Sequence, residues 1–128
     1  VVNVVRISTS GGRGCRRSAA VAARPSMRPP RGRTDDDVSA VMRRLGLAQV
    51  LWSVTAKDYA TTDTTLITRR VLDQTRRDGI ILLHERYKGT IPAVPDVIDT
   101  LRQRGYTFVT VSQLLAPATP EPGAVYRP

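Results

Sequence analysis

Gly79-Ile80-Ile81-Leu82-Leu83-His84-Glu85 is the stretch on which the fold turns. Four consecutive apolar residues behind a glycine, β-branched or long and aliphatic, predict a strand buried on both faces. Such strands belong to parallel sheets covered by helices. The run ends in the sole histidine of the chain. In parallel α/β folds, ligands and chemistry gather at the C-terminal ends of strands, which makes His84 the first candidate functional residue. The plainer reading, a histidine that merely ends a strand, stands beside it.

Working outward, the pattern alternates. Leu47 to Val54, containing Trp52, predicts a strand, and Thr55-Ala56-Lys57-Asp58-Tyr59 a loop at its C-terminal end. Leu66, Ile67, Val71 and Leu72 give an apolar stripe to a helix over about 64–77, with Asp63 placed to cap it. Val94, Val97, Ile98 and Leu101 mark another over about 93–104, ended by Gly105, with Pro95 tolerable in its first turn. Tyr106 to Val111 predicts a third strand, and Ser112 caps a short turn through Leu115. Upstream, Thr34 is the expected N-cap of a helix carrying Val38, Val41, Met42 and Leu45 and stopped by Gly46. Asp35, Asp36 and Asp37 fall in its first turn, where the helix dipole explains them without a metal. Helix and strand in alternation predict an α/β fold of about three parallel strands with right-handed crossover helices.

The net charge of +9 is unevenly spread. Arg6, Arg13, Arg16, Arg17, Arg24, Arg28, Arg31 and Arg33 hold eight positive charges with no acid among them. The rest of the chain is close to neutral. Residues 1–27 form a basic, Gly/Arg-rich leader that cannot bury a face, although Val1 to Ile7 has the composition of a short strand, and disorder is the expectation. Arginines offer sequence-independent affinity for phosphate, but no aromatic residue is interleaved to stack on bases, which makes a nucleic acid an unlikely partner. One cysteine, Cys15, excludes an internal disulfide and a multi-cysteine zinc site. No apolar run approaches the ~18 residues of a membrane span, and no secretory signal is evident, so localisation stays open. Residues 116–128 hold four prolines and read as a disordered tail.

Three loops converge in this scheme: Arg28-Pro29-Pro30-Arg31-Gly32, Trp52-Ser53-Val54-Thr55-Ala56-Lys57-Asp58-Tyr59 and Leu82-Leu83-His84. Their order and spacing resemble the later motifs of the polysaccharide deacetylases, the NodB-homology or family 4 carbohydrate esterases: Arg-Pro-Pro-Tyr-Gly, Trp-x-x-Asp-x-x-Asp-Trp and Leu-x-His. The Gly105 to Val111 strand and the Ser112-Gln113-Leu114-Leu115 turn resemble that family's closing βα unit. The resemblance covers about residues 28–115 and implies an incomplete (β/α) barrel that removes acetyl groups from glycans with a divalent metal, typically zinc.

The resemblance further implies that His84 is the general acid that protonates the leaving amine. Asp58 would orient it, and Arg28 would pair with the catalytic aspartate of the family's first motif. Trp52 and Leu82 would line the acetyl pocket, with Arg31 and Tyr59 at substrate-contacting positions. Three departures accompany it. Arg31 stands for the family's tyrosine, Thr55 for its first loop aspartate, and Tyr59 for its tryptophan. Neither Thr-Phe-Asp-Asp-Gly nor His-x-x-x-His occurs in these 128 residues. The expectation is therefore a deacetylase-like protein of carbohydrate metabolism, truncated and inactive alone, with no metal held by its own residues. Its partner would be an acetylated glycan, with a missing N-terminal half in another chain. The alternatives are half of a split deacetylase, or a basic-arm nucleic-acid-binding module on an α/β scaffold.

Overall fold

The computed structural model describes Val5–Ile7 and residues 26–128. Most of the basic leader, including Cys15, lies outside the described residues. Two compact units share the chain: Val5–Ile7 with residues 52–114, and residues 26–51 with 115–127.

The first unit holds the stretch that opened the sequence reading. Strand β4 (Val54–Thr55) pairs in parallel with β5 (Ile81–Leu82), Val54 opposite Ile81 and Thr55 opposite Leu82. Helix α2 (Thr64–Gln74) makes the crossover between them. Ile80, Ile81, Leu82 and Leu83 are all buried, as their composition requires. Asp63 caps α2 as expected, its carboxylate accepting from the Leu66 N–H at 3.0 Å. Helix α3 (Thr90–Gln103) begins three residues earlier than its apolar spacing suggested, so Pro95 falls inside the helix and not in its first turn.

The core gathers Val54, Ala56, Ile67, Val71, Ile81, Leu83, Ala93, Val97 and Leu101 from β4 and β5, the residues that follow each of these strands, and helices α2 and α3. Burying each of the larger side chains contributes about 1.5–3 kcal/mol. Gln74 closes the open side of β4. Its side-chain amide donates to the Thr55 carbonyl at 2.9 Å and its carbonyl accepts from the Thr55 N–H at 3.3 Å, so a side chain replaces a strand neighbour.

The third expected strand is shorter and differently paired. β6 (Tyr106–Phe108) runs antiparallel to β1 (Val5–Ile7), not in the parallel sheet. Its Tyr106 and Phe108 still pack on the core, and the Tyr106 hydroxyl donates to the Thr75 carbonyl at 3.2 Å. Helix α4 (Val111–Leu115) is capped by Thr110, not Ser112: the Thr110 hydroxyl accepts from the Gln113 N–H, and the Gln113 side chain accepts from the Thr110 N–H.

The second unit is a three-stranded parallel sheet, in the order β2 (Ser26–Met27), β3 (Ala48–Val50), β7 (Val125–Tyr126), with helix α1 (Asp36–Arg44). Asp35, not Thr34, is the N-cap of α1, accepting from the Val38 N–H at 2.7 Å. The single strand expected over 47–54 is two, β3 and β4, interrupted at residues 51–53. The proline-rich segment read as a disordered tail contains β7. Buried Gly123 makes this possible. Its φ is +80°, and a Cβ there would stand 2.7 Å from the Ser39 carbonyl oxygen. Gln49, fully buried, donates from its amide to Ser39 Oγ and the Gly123 carbonyl, tying helix, central strand and tail together.

Candidate active site

The C-terminal end of β4 is shaped for one carboxylate. After Thr55 the chain turns through Lys57 in the left-handed region (φ 48°, ψ 44°), a conformation that costs a non-glycine residue about 1 kcal/mol. A single 3-10 turn, Asp58–Ala60, follows and is closed by the Ala60 N–H donating to the Lys57 carbonyl. Arg70 of α2 steadies the approach, donating to the Ala56 carbonyl at 3.1 Å. The result aims Asp58 into the interior at 1% exposure.

Three donors meet it there. The His84 backbone N–H donates to Asp58 Oδ2 at 2.7 Å, the His84 imidazole approaches Oδ1 through Nδ1 at 3.0 Å, and the Thr90 hydroxyl donates to Oδ2 at 2.9 Å. His84 comes from the end of β5 and Thr90 from the first turn of α3. The carboxylate thus fastens the next strand and the next helix to its own loop. Desolvation, the largest single influence, pushes the Asp58 pKa up. The hydrogen bonds from the His84 imidazole, the His84 N–H and the Thr90 hydroxyl, with the charge of His84, together outweigh it and leave the carboxyl below its ordinary value. An ionised Asp58 only accepts, so Nδ1 carries the proton in that contact, and Nε2 is the ring nitrogen left for other chemistry. The imidazole is about one-third exposed.

Beside this pair lies a cavity of about 490 Å³, lined by Asp58, Tyr59, Ala60, Thr61, Thr62, Arg86, Tyr87 and Lys88. Tyr59 is 61% exposed at its wall. Tyr87 meets the His84 ring edge-on, centroids 5.5 Å apart, and carries the Arg86 guanidinium 5.4 Å above its own ring. Gly89 lets the 86–88 turn approach the 58–62 turn closely: a Cβ there would stand 2.6 Å from the Thr62 carbonyl oxygen.

Of the residues singled out from sequence, the structure brings Asp58 and His84 into hydrogen bond and sets Tyr59 on the adjoining cavity. Trp52, half-buried, and Leu82, buried, belong to the same unit but are not among that cavity's lining. Arg28 and Arg31 belong to the other unit. Arg28 is partly buried there, which lowers its pKa from the ordinary value through desolvation. Arg31 lies in the 3-10 turn Pro30–Gly32 with φ 56°. Thr90 was missed. Its signal was weak, a threonine before a proline-containing helix start, and only the tertiary fold shows what it holds.

No protein-family model matches the chain. The chitooligosaccharide deacetylase of Bradyrhizobium sp. is 34% identical over 113 residues, 77% of this chain and 52% of that protein. The peptidoglycan-N-acetylglucosamine deacetylase PgdA of Listeria monocytogenes is 30% identical over 89 residues, 70% of this chain and 18% of that protein. Among solved structures, T48 deacetylase with substrate superposes with a TM-score of 0.72 at 31% identity, over 79% of this chain and 49% of that one. The chain carries the C-terminal part of a polysaccharide deacetylase domain of the NodB type, carbohydrate esterase family 4, and has that family's α/β fold. It spans between about a fifth and a half of the length of these relatives.

The family is metal-dependent. The described residues do not fit such a metal. Among them no three His, Cys, Asp or Glu side chains come together to hold an ion, and the imidazole Nδ1 of His84 is engaged by Asp58. Among the described residues no helix is long and apolar enough to cross a membrane.

Proposed function

We propose that this polysaccharide deacetylase-like chain supplies the proton-donating side of a glycan deacetylase site and does not complete a turnover with the residues it carries. The observation that supports this is the double grip of Asp58 on His84, through backbone N–H and imidazole Nδ1 at once. A carboxylate that fixes both the position and the tautomer of an imidazole leaves Nε2 as the atom that delivers a proton. In amide hydrolysis that proton goes to the leaving nitrogen as the C–N bond breaks, and the imidazole is reprotonated from solvent. His84 is the donor in this reading and Asp58 the positioning residue, with Thr90 holding Asp58. Trp52, Leu82 and Tyr59 are proposed contacts of the acetylated glycan; in the other unit, Arg31 is proposed separately as a glycan contact and Arg28 as the partner of a catalytic aspartate. The base, the polarising metal and its ligands would come from residues outside this sequence.

The test is reconstitution. The chain is assayed for acetate release from chitooligosaccharides, alone with zinc, and again with a polypeptide from a relative that carries Thr-Phe-Asp-Asp-Gly and His-x-x-x-His. The expected result is no release alone and release together, lost in His84→Ala. Acetate release by the chain alone that depends on His84 overturns the claim of incompleteness. Reconstituted activity indifferent to His84→Ala overturns the claim of proton donation.

A further inference from the structure

We propose that Tyr87 is a second positioning residue of His84: Asp58 fixes the imidazole at Nδ1, and the Tyr87 ring fixes the plane in which that bond is made. The inference rests on the proton-donor reading above and deepens it. Tyr87 lies outside the Leu82-Leu83-His84 motif, so the sequence did not point to it.

One hydrogen bond does not hold a planar ring. The torsion that turns an imidazole about its Cβ–Cγ bond has broad, roughly two-fold preferences. The contact of Nδ1 with Asp58 Oδ1 at 3.0 Å is bent before it is broken, so on its own it tolerates a wide swing of the ring. The imidazole is also about one-third exposed, which means that the core does not wall it in. Any swing changes the direction of Nε2, and proton delivery depends on that direction. The Tyr87 ring removes the freedom. Its centroid stands 5.5 Å from that of the imidazole and the two planes cross at 81°, the edge-to-face arrangement that aromatic quadrupoles favour. Turning the imidazole either way tilts it out of that arrangement.

Tyr87 serves as a brace because its own place is fixed. Its N–H donates to the His84 carbonyl at 3.3 Å, and its carbonyl accepts from the Thr90 N–H at 3.0 Å. The Arg86 guanidinium lies 5.4 Å from its ring centroid and steadies the ring itself. Thr90 donates through its hydroxyl to Asp58 Oδ2, and Asp58 accepts from His84. His84, Asp58, Thr90 and Tyr87 thus form a closed circuit in which each residue is held by its two neighbours. Asp58 sets where the imidazole sits; Tyr87 sets how it is turned.

The test uses the full chain, in which His84 is the sole histidine and every imidazole signal is therefore its own. With the histidine ring nitrogens labelled, NMR at about pH 8.5, well above the ordinary histidine value, reads which nitrogen carries the proton. The parent and Tyr87→Phe should both hold it on Nδ1, because the contact is ring to ring and phenylalanine reproduces it. In Tyr87→Leu, which keeps the backbone hydrogen bonds, the share of rings protonated on Nε2 should rise about two- to tenfold, the change in equilibrium that one aromatic pair supplies. An unchanged share in Tyr87→Leu overturns the proposal by showing that Asp58 suffices. A rise in Tyr87→Phe as large as in Tyr87→Leu also overturns it, by making the hydroxyl and not the ring the agent. Should Tyr87→Leu fail to fold, the parent decides: cross-relaxation between the protons of the two rings is expected, and its absence overturns the proposal. None of these readouts needs a substrate or a second polypeptide. Failure here therefore leaves the proton-donor reading to be scored separately by reconstituted acetate release.

Discussion

Replacing Asp58 by alanine should be among the most damaging single changes in the chain, and the structure allows its size to be worked out. The carboxylate accepts from the His84 N–H, the His84 imidazole and the Thr90 hydroxyl, and both Asp58 and Thr90 are 1% exposed. Deleting it strands at least two buried or half-buried donors, each costing about 1–3 kcal/mol when unsatisfied. Relief of the carboxylate's own desolvation returns part of this, so the net loss is placed at about 2–4 kcal/mol. Asp58→Asn keeps the volume but turns an NH₂ toward a donor, and should cost about 1–3 kcal/mol. Thr90→Val removes one donor and leaves the other two, so it should cost less than either.

The assay is urea unfolding at pH 7, where a slope of about 1–2 kcal/mol per molar converts the alanine loss into a midpoint shift of at least 1 M. A double-mutant cycle of Asp58→Ala with Thr90→Val should be clearly non-additive, since the second change removes a donor the first had orphaned. The pH dependence has a definite sign. A folded-state pKa below the ordinary value means stability that is fully present above the unfolded carboxyl value and lost as pH falls through the folded one. The advantage of the parent over Asp58→Asn should therefore be constant above about pH 5 and shrink below about pH 4. An alanine variant whose midpoint lies within 0.3 M of the parent, an order-of-magnitude threshold for no effect, would refute the assignment of Asp58 as the clasp of this unit.

Three further outcomes are expected. Gly89→Ala should lose about 2–4 kcal/mol by urea unfolding, because its Cβ would press on the Thr62 backbone at 2.6 Å and on Ile67 Cδ1 at 2.8 Å; a neutral substitution would mean that the two turns are not closely apposed. Asp63→Ala should cost about 1 kcal/mol through loss of the α2 cap, and Asp63→Ser should restore most of it; equal losses for the two would argue against capping. Dialysed protein should hold well under one zinc per chain by elemental analysis, since His84 is the sole histidine and Cys15 the sole cysteine. Stoichiometric zinc that is lost in His84→Ala would contradict this.

Much of the first unit was legible because its signals are local. The apolar run Ile80 to Leu83, the stripe of α2 with Asp63 at its head, and the ordered motifs around Asp58 and His84 each carry their meaning within a few residues. What escaped was decided at a distance. Nothing in Tyr106 to Val111 says that its partner is Val5–Ile7, or that the pair is antiparallel. The break at residues 51–53 splits a run that composition alone would join. The tail around Gly123 was masked by its prolines, although an edge strand of two residues asks little of the backbone beyond one glycine able to take φ +80°. The caps were misplaced by neighbours: Thr34 beside Asp35, and Ser112 beside Thr110, offer the same chemistry one or two positions away.

The grip of Asp58 has an evolutionary consequence. Because the carboxylate holds the end of a strand and the head of a helix, its loss would be punished through folding before any effect on turnover was felt. A descendant relieved of catalysis would keep the aspartate for architecture and could vary the histidine ring more freely, since the backbone N–H that Asp58 holds exists whatever side chain stands at position 84. In lineages of this fold, then, a retained aspartate testifies to a standing scaffold. The imidazole is the better witness to a living enzyme.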